Sequence, residues 1–166
     1  MNELVPLNEA TLRDLQRGAS APIVRRATDQ KLVTTYLGVD KKGIIQYKTT
    51  SGTYAGKFWY QQIKLRDIQA AMQAASADAS MRHRDIVNLA VFGDIEVHCN
   101  DPSYLYYGWQ YIGTQLGYAL FPERRFPRIR NPGLQGTVCK HLFNVLQVLP
   151  FHITRIVRDM KRQRLL

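Results

Sequence analysis

Cysteine is scarce in this chain: Cys99 and Cys139 are the only two among 166 residues. Two cysteines cannot build the disulfide framework of a small secreted scaffold, and a chain this long can bury a core without one. No run approaches 18 consecutive apolar residues, so no membrane-spanning helix is expected. The opening Met1-Asn2-Glu3-Leu4-Val5-Pro6 lacks the basic and apolar regions of a signal peptide and is not expected to act as one. Glutamate is also sparse. Glu3, Glu9, Glu96 and Glu123 stand alone, and none sits in a paired-carboxylate setting. There is no Gly-rich phosphate loop, no nucleophile elbow and no Ser-His-Asp order. With these signatures missing, the expectation is a non-enzymatic protein.

Acidic residues nearly vanish from one region. Residues 124–164 hold ten Lys/Arg and a single acid, Asp159, while the rest of the chain is close to balanced. The cations form two groups. Arg124, Arg125, Arg128 and Arg130 lie in a Pro-rich stretch, and Arg155, Arg158, Lys161 and Arg162 lie near the C-terminus. Such asymmetry implies an anionic partner, whether an acidic protein surface, nucleic acid or a membrane face.

The pattern of residues predicts an α+β fold, with an antiparallel sheet and helices packed around it. Residues 1–21 read as an N-terminal arm with a short helix from Glu9 to Arg17, capped by Asn8 and stopped at Gly18. Residues 22–150 read as the core domain. Its sheet is expected over about 22–65 and 91–99, with strands at 32–39, 44–49, 58–65 and 91–98. Ala/Gln/Met-rich sequence predicts helices over 66–77 and 81–90. One aromatic-rich helix is expected from Pro102, with Tyr104, Tyr107, Tyr111 and Tyr118 on one face. Residues 119–136 predict a long irregular loop, a feature that in a compact domain usually carries a function. A helix follows over 137–149, then Pro150, then a basic helix within 151–166.

Both cysteines stand in ligand-like triplets, Cys99-Asn100-Asp101 at a strand end and Cys139-Lys140-His141 at a helix start. Cys99, Asp101, Cys139 and His141 offer sulfur, oxygen, sulfur and nitrogen donors, a set that suits tetrahedral zinc. Four protein donors would make a closed structural site. Such a clip would staple residues 94–150 by closing a loop of about 40 residues. The partial positive charge at a helix start would help hold Cys139 as thiolate. Iron, or a Cys99–Cys139 disulfide with no metal, stands as the alternative. Asp101 has a second reading as the N-cap of the Pro102 helix. His98 and His152 are reserve donors.

The layout Cys99-x-Asp101-Pro102-x-Tyr104-x-Tyr106, then Arg130-Asn131-Pro132, then Cys139-Lys140-His141-Leu142 resembles a family of tailed-bacteriophage virion proteins. In that family the run is Cys-x-Cys-Pro with an aromatic-rich helix, an Asn-Pro loop and a Cys-Lys-His-Leu helix. The ligand pattern is similar to that of SWIM-type zinc fingers. The resemblance covers residues 94–150, and the chain departs from it at Asp101, where the family pattern has its second cysteine. It implies a structural component of the baseplate, tail or neck, present in multiple copies among other virion proteins and assembled in the host cytoplasm. The eight basic residues named above would then be its contacts. A zinc-finger-type nucleic-acid-binding module is the competing expectation.

Overall fold

The computed structural model describes residue 4 and residues 7–166; the other residues of the N-terminal arm, with most of the opening run, lie outside the described residues. The first helix, α1 (Leu12–Gly18), starts later than the sequence predicts because Thr11, not Asn8, caps it. The Thr11 hydroxyl accepts from the Asp14 N–H, and the Asp14 carboxylate accepts from the Thr11 N–H. Residues 21–29 are not part of the sheet. They form α2 (Ala21–Asp29), with Pro22 tolerated in its first turn and Ile23 and Ala27 buried.

The sheet is antiparallel throughout and keeps chain order, β1 (Thr34–Val39), β2 (Ile44–Thr50), β3 (Phe58–Leu65) and β4 (Ile95–Cys99). Alternation sets its two faces, with one register shift in β1 between Tyr36 and Gly38. Ile45, Tyr47, Ile63, Leu65, Ile95, Val97 and Cys99 point into the core, whereas Tyr60 and Lys64 are exposed on the outer face. Asp40 closes the β1–β2 turn by accepting from the Lys42 and Ile44 N–H groups at 2.8 and 3.0 Å.

Between β3 and β4 run α3 (Ile68–Ala77) and α4 (His83–Phe92). Val91 and Phe92, expected in a strand, complete α4 instead. Val87, Ala90 and Val91 share a buried helical face, so helix packing overrides their β preference. The aromatic segment is two helices, α5 (Pro102–Tyr106) and α6 (Trp109–Leu116). Gly108 separates them with φ of 74°, and a Cβ there would collide with the Pro127 ring. Tyr104 and Tyr118 are fully buried, but the helical period does not run between them.

Residues 119–136 are irregular, as expected, yet tied down. The segment begins along the free edge of β4, where Val97 N–H donates to Tyr118 O and Leu120 N–H to Val97 O. Asn131, of the Arg130-Asn131-Pro132 motif, donates from its amide to Tyr107 O and Gln135 O and accepts from the Gln135 N–H. After it, α7 (Lys140–Val148) crosses the inner face of the sheet and meets all four strands. Leu149–His152, with Pro150, form one 3₁₀ turn before α8 (Ile153–Arg162), which packs on α4 and β1.

Candidate metal centre

Cys99 is the last inward-facing residue of β4, and Cys139 is the N-cap of α7 with His141 one turn-step beyond it. Because α7 lies across the sheet, the two triplets meet. The ligand atoms of Cys99, Cys139 and His141 all lie within 4.8 Å of one another. A loaded tetrahedral zinc site needs donors roughly 3.4–3.8 Å apart, so a shift of about 1 Å closes the set. Both cysteines are buried and free, with no disulfide between them. His141 is 1% exposed, and its Nε2 is buried with no hydrogen-bond partner. An orphaned imidazole nitrogen facing two thiols is costly in a closed core unless something fills the place between them. The residues fit a thiophilic divalent ion, which would supply a cross-link between β4 and α7.

Asp101 stands beside this trio and not in it. One carboxylate oxygen caps α5 by accepting from the Ser103 N–H at 2.9 Å, and the other accepts from the Ser103 hydroxyl at 2.6 Å. That second oxygen also lies 2.9 Å from His141 Nδ1, a close polar contact outside good hydrogen-bond alignment. The helix-cap reading of Asp101 therefore describes its position, with orientation of His141 as an added role. The four-donor closed set is replaced by three donors and a neighbouring carboxylate. His98 turns toward Tyr104 and Phe121, with ring centroids 5.9 and 4.8 Å away. His152 is occupied by the Tyr47 hydroxyl, 3.0 Å from its Nδ1.

Backbone and side-chain N–H groups converge on the sulfurs. Cys99 Sγ accepts from the Asp101 N–H and from Gln61 Nε2, and Cys139 Sγ from the Leu142 N–H, each at 3.5 Å. Gln61 pairs across the sheet with Cys99. Its orientation is fixed by a buried relay, since its Oε1 accepts from the Thr49 hydroxyl, which contacts the Thr34 hydroxyl, which accepts from Asn144 Nδ2 of α7. Donors run in one direction along this chain and end on sulfur, the polarity a thiolate needs.

The electrostatics follow from the same contacts. Burial pushes the Cys99 thiol up, but the neighbouring Cys139 thiol and His141 imidazole outweigh it and bring it below its ordinary value. Burial and the Cys99 charge hold the Cys139 thiol well above its own. Burial disfavours His141 protonation, yet the Asp101 and Cys99 contacts prevail and raise it. In the metal-free site these contacts favour charge on Cys99 and His141, and binding a cation would release the protons that remain on the donors.

No family model matches this chain, and neither does any curated protein or solved structure. The site is accordingly read from its own chemistry. The sequence reading does not include Gln61 and Thr49 in the site; both are polar residues on inward strand positions, a pattern that gains its meaning once strand pairing places Gln61 opposite Cys99.

The eight basic residues named from the sequence are all exposed. Arg125 is engaged by Glu123 at 2.6 Å, and Arg130 lies 5.8 Å over the Tyr107 ring. Arg158 and Arg162 approach the buried Asp159 at 3.0 and 3.8 Å. Arg124, Arg128, Arg155 and Lys161 make no ion pair among the described residues. None of the eight approaches the Cys/Cys/His trio.

Proposed function

We propose that the chain is a non-enzymatic structural component of a tailed-bacteriophage virion, at the baseplate, tail or neck, whose C-terminal half is stapled by one metal ion. Zinc is the proposed ion, held by Cys99, Cys139 and His141, with Asp101 orienting His141. One observation carries the staple: three donors from two chain segments about 40 residues apart converge around an unpartnered buried imidazole nitrogen. The virion assignment leans on the resemblance over residues 94–150. It is supported by the way the Asn131 anchor and the Cys139 helix hold the Arg-bearing loop in a fixed shape. Asp101 is engaged with Ser103 and His141, which fits a structural rather than a catalytic centre. Localisation to particles assembled in the host cytoplasm, beside other virion proteins, belongs to the same proposal.

Elemental analysis of the purified protein tests the staple. The expected result is close to one zinc per chain and a melting temperature lowered by chelator. Less than about 0.2 metal per chain, with no melting change on chelation, overturns it. Mass spectrometry of host particles tests the place. The competing nucleic-acid reading draws on the four unpaired cations, Arg124, Arg128, Arg155 and Lys161, and is separated by the salt dependence of binding.

A further inference from the structure

We infer that the metal centre keeps its fourth coordination position for a small exogenous oxyanion, a carboxylate or a phosphate, admitted through the pocket beside it. This rests on the metal reading above and goes beyond it. Three protein donors leave a tetrahedral ion one position short, the arrangement of an open site and not of a closed one. A pocket of about 240 Å³ reaches two of the three donors, with Cys139 and His141 in its wall and Cys99 behind them. Its remaining wall combines aromatic rings, the hydroxyls of Ser51, Thr53 and Ser103, and charged groups. Trp59 stands 6.4 Å from the His141 ring, and Tyr107 and Trp109 stack on each other at 5.2 Å. Arg26 and Lys140 supply positive charge to the wall against one carboxylate, Asp101. Lys140 Nζ is bonded to the neutral Gln30 amide at 2.6 Å, so its charge is not spent on an acid. Zinc with two thiolates and a neutral imidazole carries no net charge. Attraction for an anion therefore comes from Arg26 and Lys140, with the Ser51, Thr53 and Ser103 hydroxyls as further donors in the wall. The Tyr104 hydroxyl, buried without a partner and close enough to the cysteines to feel their charge, is the internal competitor for the same position, together with a reoriented Asp101.

Cobalt substitution tests this by absorption spectroscopy on the full chain. Cobalt–thiolate charge transfer reports loading, and the ligand-field bands report the fourth ligand. Acetate and inorganic phosphate are the probes. The expected result is a saturable band shift with either anion, about tenfold weaker in Arg26→Ala and Lys140→Gln, both of which still load cobalt. Bands that ignore both anions but change in Tyr104→Phe or Asp101→Asn overturn the inference in favour of a fully protein-ligated ion. A shift unaffected by either cation variant also overturns it, since the anion would not be using the pocket. Absence of charge transfer in the wild-type protein defeats the metal reading itself, a distinct failure.

Discussion

Asp101 is the residue at which two roles can be pulled apart. Its carboxylate caps α5 through Ser103 and also lies against His141 Nδ1. Asparagine caps a helix about as well as aspartate, but it carries no charge to favour the metal-bound tautomer of the imidazole. Asp101→Asn is therefore expected to weaken metal binding roughly 10–100-fold while keeping the α5 cap, so that the metal-free protein loses less stability than it does in Asp101→Ala. Asp101→Ala should show the same weakening plus a cap loss of about 1 kcal/mol. Isothermal titration with zinc and thermal melts of both variants provide the check; wild-type affinity in the Asn variant would remove Asp101 from the site. At this scale the sequence was legible where chemistry and spacing coincide, as in Cys139-x-His141. It was not legible at Gln61, because a polar residue on an inward strand position acquires meaning only when strand pairing places it opposite Cys99. Nor does spacing alone tell a ligand from a cap, since both need a carboxylate two residues after Cys99.

Elements came through where one period dominates. The strands at 44–50 and 58–65 alternate cleanly, the strand at 34–39 does so up to a register shift between Tyr36 and Gly38, and α7 keeps its apolar stripe. Where two signals compete, the longer-range one prevails. Val91 stays in α4 because its face is buried, with the exposed Phe92 ending the helix beside it, and α5 and α6 part at Gly108 because Pro127 occupies the space. The basic helix α8 holds a further surprise, since its single acid is buried and turned toward the sheet. Tyr36 of β1 donates to Asp159 Oδ2 at 2.8 Å, and Arg158 Nε to Oδ1 at 3.0 Å. Burial pushes the Asp159 carboxyl up, but the Arg158 and Tyr36 hydrogen bonds and the nearby guanidinium charges outweigh it and hold it below 3.8. A carboxyl depressed in the folded state adds stability that is complete above its unfolded value and is lost as pH falls through its folded one. The loss therefore lies below pH 3.8. Other carboxyls titrate in the same window, so the difference from Asp159→Asn is the quantity to measure. Denaturant melts from pH 6 down to 2.5 should show the wild type's advantage over the variant shrinking below about pH 4. An advantage constant across that range would contradict the pairing of α8 to β1 through Asp159.

Across the molecule, the two groups of cations stand at opposite edges of the sheet. The Arg-bearing loop leaves the free edge of β4, while α8 packs on β1. Four strands at about 4.8 Å spacing put those edges roughly 15 Å apart, beyond the Debye length of about 8 Å at physiological salt. The groups are therefore placed to act separately, and on the proposed virion reading each would meet its own neighbour. A nucleic acid would need a continuous track, whereas a subunit in a ring or wedge needs a different neighbour on each side. Neither feature was legible in the sequence, which shows two basic runs but not the sheet that separates them. The expectation is that Arg124→Glu with Arg128→Glu, and separately Arg155→Glu with Lys161→Glu, will each lower incorporation into particles by about tenfold or more, with melting unchanged because all four residues are solvent-exposed. On the proposed virion reading, losing either contact should be as damaging as losing both. Duplex DNA binding by the wild type should be weak at 0.15 M salt, and its slope of log K against log salt should be shallower than about −2, reflecting no more than two phosphates held at a time. Variants that enter particles like the wild type, or a slope near −4 that drops by about two units in each double variant, would show that both edges engage one polyanion at once.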